Sequence, residues 1–372
     1  MAHAYTPGLR VASYASVLRV RRLPLRGDVL ARAGGALRAE DVVARTALPG
    51  NVHTVKVASL LGIPPDDIRE AMLKKEGDNV AKDEVIAQTK SFFGVFSSRC
   101  ASPVAGTIES ISAVTGQAII REAPMPVEVN AYVDGVVESI LPGEGVVMRT
   151  EGAFVQGIFG IGGEACGEIR LACDAPRDAL TDARVTGDLA GKILVGGSAV
   201  THGALAKAVG ARARAVVAGS ISASDLMAFL GYDIGVAITG HEEKGITLII
   251  TEGFGELAMA ERTFALFARC AGMRASVNGA TQIRAGVMRP EIIVPGAPAE
   301  NARGEARSGP MSVGSAVRTI REPWFGRLGV VTALPHELRE IETEARVRVV
   351  TVRLDDGAEI TLPRANVEMV EE

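Results

Sequence analysis

The chain has 372 residues, a formal net charge of −4 and 47% apolar residues, of which few are aromatic. This length allows two or three domains, and a core built from Val, Ile, Leu and Ala. The mild charge, with no basic tail or acidic block, argues against a chain made mainly to bind nucleic acid or a membrane surface. No apolar run reaches the eighteen or so residues that span a bilayer, so we expect no membrane partner.

The N-terminal stretch and the cysteines indicate a cytoplasmic protein. Residues 1–28 carry several arginines but lack the continuous apolar segment of a secretory signal, so we expect them to lead directly into the first structural unit. The cysteines Cys100, Cys166, Cys173 and Cys270 have no CxxC spacing. This usage is typical of reduced thiols in the cytoplasm.

Two internal repeats occupy the first 150 residues. The stretch Ala33–Thr46 matches Glu76–Thr89 at an offset of 43, and Ser102–Ile111 matches Ala131–Ile140 at an offset of 29. Each copy predicts a glycine-centred turn followed by a short strand with one buried face. Since one copy is too small to bury its own face, we expect paired copies to close over a common core.

The repeats resemble a known family. The stretches EGDNVAKDEVIAQT and SPVAGTIESI are similar to the two halves of the barrel-sandwich hybrid, or hammerhead, of biotinyl and lipoyl carrier domains. The first half is matched at Gly77, Asp78, Val80, Glu84 and Ile86, and the second at Ser102, Pro103, Gly106 and Ile108. The resemblance covers about residues 25–150 and implies a duplicated β barrel-sandwich region.

The feature that makes a carrier domain functional is missing. The family places a lysine, flanked by methionine, alanine or aspartate, in the hairpin between the halves. Here that place reads TKSFFGVFSSRCA, in which Lys90 lacks the flanking pattern. We therefore expect no covalent cofactor. The phenylalanines of this stretch, Phe92, Phe93 and Phe96, form either part of the core or a partner surface.

The middle of the chain changes to alternating strands and helices. Apolar runs such as KILVGG, RAVVAGS, DIGVAITG and ITLIITEG alternate with helical stretches, and RASVN and EIIVP follow as the last strands. Thr201 or Ser198 is a candidate N-cap of the first helix, and Gly231 is a natural C-terminal stop of the second. Near-continuous apolar strands of this kind predict a buried, mostly parallel sheet.

Glycines and polar residues follow these strands. In an open α/β sheet, ligands bind at the carboxyl ends of the strands, where helix N-termini also present free N–H groups to anions. The candidate ligand-binding residues are Gly196, Gly197, Ser198, His202, Gly219, Ser220, Thr239, His241, Glu242, Glu252 and Gly253. The alternative is that short connections need glycine whether or not they bind anything.

The motifs do not identify a ligand. Neither GxGxxG opening a helix nor GxxxxGK[ST] is present, so the sequence supports no nicotinamide or P-loop nucleotide. The stretch TGHEEKG has the residues best suited to chemistry, because His241 and one neighbouring glutamate could bind a metal or exchange protons. His202, in another loop of the same kind, could come close to them. The alternative is an exposed charged loop, and we assign no metal.

The last third of the chain predicts a linker and a small β barrel. Residues 299–312 are rich in Gly, Arg and Ser, and residues 313–372 resemble an SH3-like barrel of the KOW type with a hairpin turn at Asp356–Gly357. That resemblance implies an RNA or protein partner. The candidate face is Arg318, Arg321, Trp324, Phe325 and Arg327, and the nearby glutamates indicate weak RNA binding at most.

These observations predict an α/β and all-β multidomain protein. The expected units are a duplicated barrel-sandwich region (residues 1–188), a parallel α/β domain (189–298), a linker (299–312) and an SH3-like barrel (313–372). We expect a non-catalytic cytoplasmic binding or scaffold protein that docks to a protein partner. The alternatives are a small-molecule sensor or enzyme with its site at the strand ends of the α/β domain, and an RNA-, transcription- or translation-associated factor.

Overall fold

The computed structural model of the chain describes residues 9–89, 98–232, 240, 242–282, 288–298, 311–319, 324, 327–335, 337–340, 346–354 and 356–369. About 47% of the chain is strand and about 14% is helix, and the strands form several sheets, of which one is large and mixed. Within these ranges, no helix is both long enough and apolar enough to cross a membrane.

The described part of residues 9–156 is mainly β-structure. The elements in chain order are β1 (Val11–Arg22), β2 (Asp28–Val29), β3 (Ala36–Leu37), β4 (Val42–Leu48), β5 (Val52–Val55), α1 (Val57–Leu61), α2 (Ile68–Ala71), β6 (Asn79–Val80), β7 (Val85–Gln88), β8 (Arg99–Ala101), β9 (Gly106–Ser112), β10 (Gln117–Arg121), β11 (Met125–Asn130), β12 (Gly135–Leu141) and β13 (Gly145–Gln156). Residues 52–121 form an inner module, which is inserted into an outer module made of residues 28–48 and 125–149.

The two modules use the same strand pairing. In the inner module β7 pairs with β8, and Val85 faces Ala101. In the outer module β4 pairs with β11, and Val42 faces Asn130. These paired positions differ between the modules by 43 residues in the first strand and 29 in the second, which are the offsets of the two sequence repeats. The chain therefore contains one pattern twice, nested rather than in tandem.

The glycine-centred turns agree as well. The Gly77 N–H donates to the Ile108 carbonyl at 2.7 Å, and the Gly34 N–H donates to the Val137 carbonyl at 2.8 Å. Both glycines have a positive φ, of 91° and 76°, which a residue with a Cβ rarely adopts. The repeated glycine is therefore required by the backbone of each turn.

The inner module takes the place of a hairpin loop in the outer module. Strands β4 and β11 end face to face at Leu48 and Met125, and the inner module follows where the other module has its β7–β8 connection. A Cβ on Gly50 would lie 2.0 Å from the Glu122 carbonyl oxygen. Because the two chain crossings approach this closely, the junction has room only for glycine at this position.

Each module has its own core. Val55, Ile68, Ile86, Ile108 and Ile120 belong to the buried apolar cluster of the inner module. The core of the outer module also includes side chains of β1, β13 and the distant Ile293. The inner module can therefore pack independently, whereas the outer module shares its core with the rest of the chain.

The large sheet follows. Its further elements are β14 (Phe159–Ile161), β15 (Glu164–Leu171), β16 (Lys192–Val195), β17 (Ala199–Val200), α3 (His202–Gly210), β18 (Ala215–Ile221), α4 (Ala223–Leu230), β19 (Thr247–Phe254), α5 (Glu261–Arg269), β20 (Arg274–Asn278) and β21 (Glu291–Pro295). The main strand order is β14-β19-β18-β16-β15-β20-β21-β13-β12-β3, with β1 on β13 and β17 on β18. Strand β13 thus joins the outer module to this sheet.

The sheet is mixed, not mostly parallel as the apolar runs indicated. Strands β15, β16, β18 and β19 are parallel, but β14, β20 and β21 run antiparallel to their neighbours. Strands that are buried on both faces read alike in either direction, so hydrophobicity could not tell them apart. The sheet also begins before residue 189, because β14 and β15 belong to it.

The helix signals of this region are confirmed in detail. Thr201 is the N-cap of α3, and its side chain accepts a hydrogen bond from the Ala204 N–H at 3.2 Å. Gly231 ends α4 in the left-handed conformation, with φ 81°. Helix α5 starts only at Glu261, because residues 257–260 cross the ends of the parallel strands.

The C-terminal unit is a separate six-stranded antiparallel sheet. Its strands are β22 (Ala316–Thr319), β23 (Leu328–Ala333), β24 (Leu338–Glu340), β25 (Arg346–Leu354), β26 (Glu359–Pro363) and β27 (Val367–Met369). The predicted Asp356–Gly357 turn joins β25 to β26, with Gly357 at φ 87°. Val317, Val331, Val350, Val352 and Val367 are in its core. Most of the expected linker, residues 299–310, lies outside the described residues.

The nested fold gives a paired prediction. Gly106 and Gly135 are equivalent in the two modules, and a Cβ on either would lie 2.3 Å from a backbone oxygen of the neighbouring strand. Gly106→Ala and Gly135→Ala should each lower the free energy of unfolding by about 1–3 kcal/mol, because the backbone must shift to admit the methyl group. Urea denaturation of the full chain measures this.

Gly210→Ala is the matched control. Gly210 is the last residue of α3, and a Cβ there meets no atom within 4 Å. Alanine should leave stability unchanged or raise it slightly. Equal effects of all three substitutions would contradict the close approach of strands at Gly106 and Gly135.

Candidate functional site

The carboxyl ends of the parallel strands are covered by the chain itself. Residues 175–180, after β15, and residues 257–260, before α5, both lie across them. The Met259 N–H donates to the carbonyls of Gly197 and Pro176 at 3.2 Å, and the Gly219 N–H donates to Gly197 at 3.1 Å. These bonds use backbone groups that would otherwise be open to a ligand.

The glycines here are required by these crossings. A Cβ on Gly197 would lie 2.3 Å from the Ala175 carbonyl oxygen, and one on Gly219 would lie 2.6 Å from the Met259 nitrogen. Gly196 lies against the side chain of Leu180. The predicted glycines therefore do lie together, and each makes room for a segment of the same chain.

The two serines at this edge are also hydrogen-bonded within the chain. The buried Ser220 hydroxyl donates to the Leu257 carbonyl at 3.0 Å and accepts from the Leu257 N–H at 2.9 Å. The Ser198 hydroxyl donates to the Arg177 carbonyl at 3.0 Å, and its N–H donates to Asp178 at 2.7 Å. Both serines therefore hold the crossing segments in place.

Glu252 is the centre of this edge. Its buried carboxylate accepts the Ala260 N–H at 3.1 Å on one oxygen and forms an ion pair with Arg318 of the C-terminal unit on the other. The Arg318 guanidinium also donates to the carbonyls of Thr251 and Glu252, at 3.3 and 3.2 Å. Next to it, Gly253 has a φ of 147°. The C-terminal unit is thus held to the large sheet by a buried ion pair.

His202 and Glu242 lie at opposite edges of the sheet. His202 follows β17 at the carboxyl edge, where its N–H donates to Asp225 at 2.9 Å. Glu242 lies at the amino end of β19, and accepts the N–H groups of Gly162 and Gly240 at 3.0 and 2.8 Å. The length of β19, eight residues or roughly 25 Å, separates them.

Ser222 is the N-cap of α4, and Asp225 lies in the first turn of that helix. A hydrogen bond from the Ser222 hydroxyl, supported by the His202 N–H, lowers the pKa of the Asp225 carboxyl. Thr239 and His241, the other candidates of this stretch, lie outside the described residues. Within the described residues, no group of three or more His, Cys, Asp or Glu side chains could hold a metal ion.

The described residues of the candidate partner face do not share one surface of the C-terminal unit. Arg318 is only 3% exposed, so it lies in the interface with the large sheet and not on an outer surface. Trp324 is half-buried against the core of the unit, and Arg327 forms an ion pair with Asp356 at 2.7 Å. Arg321 and Phe325 lie outside the described residues, as do the phenylalanines at 92, 93 and 96.

A groove that the sequence did not reveal lies between the outer module and the amino edge of the large sheet. It encloses a cavity of about 270 Å³. The lining residues are Ala39, Glu40, Asn130, Tyr132, Glu164, Ala165, Cys166 and Arg214. Both the outer module and the large sheet contribute to this wall.

Ion pairs hold the two walls together. Arg21 of β1 binds Glu164 through two hydrogen bonds of 2.6 and 2.7 Å, and donates to the Asn130 carbonyl at 2.7 Å. Arg274 of β20 pairs with Glu40 at 2.5 Å, and this bond lowers the pKa of the Glu40 carboxyl. Each pair joins the outer module or β1 to the large sheet, so the pairs fix the width of the groove.

Tyr132 is the most constrained side chain of the groove. It has a φ of 71°, which is rare for a residue with a Cβ, and the guanidinium of Arg21 lies 5.2 Å from its ring centre. Its hydroxyl bonds Glu291 at 3.1 Å. Burial, with the negative charge of Glu291, raises the pKa of Tyr132 well above its ordinary value. The phenol is therefore a fixed, protonated donor.

Cys166 is the half-buried thiol of the groove, and the other three cysteines are buried and free. Its sulfur lies 3.3 Å from the Arg274 guanidinium and 3.9 Å from the Ser276 hydroxyl. Burial raises the pKa of the Cys166 thiol, and Arg274 acts against this shift. At neutral pH this is a protonated thiol, which gives the groove no strong nucleophile.

Two sequence signals could have pointed to this groove. Arg19 and Arg21 alternate on β1, so both face the core side of the sheet, and buried arginines need acidic partners. Tyr132 stands where the other repeat has Pro103. Neither signal names the partner, because the partners lie more than a hundred residues away.

A scan against protein-family models found none that fits the chain, and a search of curated proteins found no similar sequence.

The buried ion pair gives a stability prediction. Arg318→Met should lower the free energy of unfolding by about 3–5 kcal/mol, because it leaves the buried Glu252 carboxylate without its cation. Arg327→Met, in the same unit but in a more exposed pair, should have a much smaller effect. Urea denaturation compares the two. Similar losses for both variants would contradict a special role of Arg318.

The groove gives a prediction on thiol chemistry. Iodoacetamide should alkylate Cys166 before the three buried cysteines, and the midpoint of its pH–rate profile should lie above that of a free cysteine. Arg274→Gln should move this midpoint to still higher pH, because the cation that favours the thiolate is gone. Mass spectrometry of each peptide reports the rates.

The midpoint of the pH–rate profile distinguishes a change in the charges around the thiol from a change in its accessibility. A variant that only opened the groove would speed alkylation at every pH and leave the midpoint in place. Lys192→Gln, which removes a surface cation paired with Glu168, is the control and should change neither quantity. A midpoint that Arg274→Gln leaves unmoved would contradict the contact between Arg274 and the thiol.

Proposed function

We propose that this chain is a non-catalytic cytoplasmic docking protein. It consists of two nested barrel-sandwich modules of the non-carrier type, a mixed α/β sheet and a C-terminal SH3-like barrel. The nesting supports the first assignment, because both modules repeat the same strand pairing and glycine turn. The second is supported by a short-stranded antiparallel sheet around a valine core.

The main support for this proposal is that segments of the same chain cover the carboxyl ends of the parallel strands. A ligand site at the carboxyl edge of an α/β sheet needs free N–H groups, hydroxyls or charges. Here Ser220, Glu252 and the Gly197 carbonyl all bond to segments of the same chain, and Arg318 seals the edge. Because these polar groups already bond within the chain and stabilise the fold, we assign the function to the outer surface of the protein.

The inner module is the part best placed to meet a partner. It has its own core, and among the described residues it is joined to the outer module through two chain crossings around Gly50 and Glu122. Two apolar side chains stand out at one end of it: Leu60 of α1 is 62% exposed and Val114 is 87% exposed. The turn that holds Val114 lies against α1, since the Ala58 N–H donates to the Gly116 carbonyl.

A second candidate function is small-molecule binding. The observation that favours it is the 270 Å³ cavity of the groove, where the Arg214 guanidinium and the Asn130 amide have no described partner. A small polar anion is the ligand that such a wall fits. In this case the site is the groove at the amino edge, and not the strand ends that the sequence indicated.

Two measurements separate the candidates. Thermal unfolding is followed with a panel of metal ions, nucleotides and phosphorylated metabolites. Cross-linking with mass spectrometry then compares a cell extract containing the full chain with extracts containing Leu60→Glu or Val114→Glu. The docking proposal predicts no stabilisation by the panel, and loss of one reproducible cross-linked protein in both variants.

Val52→Glu is the matched control. Val52 is also apolar and exposed in the inner module, but it lies at the other end of β5 from α1. It should keep the cross-linked partner. Stabilisation of about 2.7 kcal/mol at a hundredfold excess over Kd, abolished by Arg214→Gln, would favour the sensor instead. Cross-links that survive all three substitutions would contradict docking through the inner module.

A further inference from the structure

Strand β1 is a long strand on an open edge. It is twelve residues long, and among the described residues it pairs only with β13. The end strands of the same sheet, β3 and β14, have only two and three residues. Short end strands are a common way in which proteins avoid edge-to-edge association. The long edge of β1 is therefore the exception in this sheet.

The hydrogen-bond pattern shows which residues face outward. The Leu23 N–H donates to the Glu144 carbonyl, so Leu23 and Glu144 are a hydrogen-bonded pair of the antiparallel ladder. Such pairs alternate along a ladder, so the backbone groups of odd-numbered residues up to the bulge at Ala15 point to β13. Those of the even-numbered residues point away from it. The outward residues are Ser16, Leu18, Val20 and Arg22.

Most of these outward groups have no partner among the described residues. In the part that the structure describes, one outward backbone group is occupied: the Leu18 carbonyl accepts a bond from the Arg19 guanidinium at 2.7 Å. A carbonyl oxygen has two lone pairs and can accept a second bond. A strand added along this edge would therefore find four N–H groups and four carbonyls available.

The side chains of the same residues are apolar and charged in a self-complementary order. Leu18 and Val20 are 53% and 57% exposed. Arg22 pairs with Glu144 at one end but is still 59% exposed, and at the other end Ser16 lies beside Glu151 of β13, whose carboxylate pairs with Arg149. If a second copy of this strand paired with it in antiparallel orientation, apolar side chains of the two copies would face each other. Arg22 of one copy would then lie near Glu151 of the other.

We propose that two copies of this chain associate through β1, edge to edge and antiparallel, about a twofold axis beside Arg19. In this register Leu18 of one copy faces Val20 of the other, and Ser16 faces Arg22. All four pairs join outward-facing residues, as the ladder requires. A surface that complements itself is what a twofold interface needs.

The charges at the two ends of the pairing favour a second copy over an unrelated strand, and the two Arg19 side chains that meet at the axis are each paired with Glu291 of their own chain. Arg22 of one copy would lie two strand spacings, about 10 Å, from the Cα of Glu151 in the other, a distance that the two long side chains span together. The contact occurs twice about the axis. A bulge between Ala12 and Ala15 ends the regular edge and limits the pairing to these residues.

Oligomeric state tests the proposal. Sedimentation equilibrium of the full chain over a concentration series should show a monomer–dimer equilibrium. Leu18→Pro removes only an outward N–H and should weaken dimerisation at least tenfold, as should Val20→Lys, which places like charges near the axis. Leu73→Lys, at a leucine of the inner module that is 51% exposed, should leave the dimer unchanged.

Cysteine pairs test the register. In a hydrogen-bonded antiparallel pair the Cα atoms lie about 5.5 Å apart, within disulfide range. In a Cys166→Ser background, a mixture of Leu18→Cys and Val20→Cys chains should form a disulfide between the two variants under mild oxidation. Each variant alone should form it far more slowly, because identical positions are offset along the strand.

The proposal is overturned by two results. One is a monomer at every concentration in the wild-type chain. The other is a dimer that persists in both the Leu18→Pro and the Val20→Lys variant, when both variants unfold at the same temperature as the wild type. A dimer that forms with a disulfide in Leu18→Cys alone would also overturn the proposed register. Circular dichroism melting of each variant excludes unfolding as the cause of a lost dimer.

Discussion

The structure depends on one shared strand. Strand β13 pairs with β1 and β12 of the outer region and with β21 of the large sheet, so both parts use the same backbone ladder. At Gly152 a Cβ would lie 2.0 Å from the Val294 carbonyl oxygen, so β13 and β21 meet closely there. Because one strand serves both cores, the outer module cannot move against the sheet without breaking β-ladder hydrogen bonds, and Arg21–Glu164 and Arg274–Glu40 further fix the angle between them.

Because of this shared strand, some parts of the chain are connected to each other more firmly than others. The outer module, the large sheet and the C-terminal unit are connected by ladders and by the buried Arg318–Glu252 pair. Among the described residues, the inner module is connected through the two chain crossings at Gly50 and Glu122, and its apolar cluster is its own. Loss of the inner module would therefore cost the remaining core little, whereas loss of β13 would divide it. An insertion at a hairpin position is the kind of change that a β module tolerates best.

Much of the first 150 residues could be predicted from the repeats. Gly34 and Gly77 require the same turn, and the offsets of 43 and 29 match the observed strand pairs. The unequal offsets were themselves a sign of nesting, because tandem copies would be separated by one offset. Strand direction could not be predicted: RASVN and EIIVP lie in a buried sheet, and burial on both faces erases the pattern that separates parallel from antiparallel neighbours.

The candidate site shows why polar residues at strand ends are ambiguous in a sequence. A buried backbone or side-chain group must be hydrogen-bonded, whether its partner is a ligand or the chain itself. Ser220 and Glu252 meet that need with Leu257, Ala260 and Arg318. Glu252 and Arg318 are 66 residues apart in different structural units, so no local pattern in the chain could have joined them. Residue type and position relative to a strand therefore identify which groups need partners, and only the tertiary structure decides whether a partner is still missing.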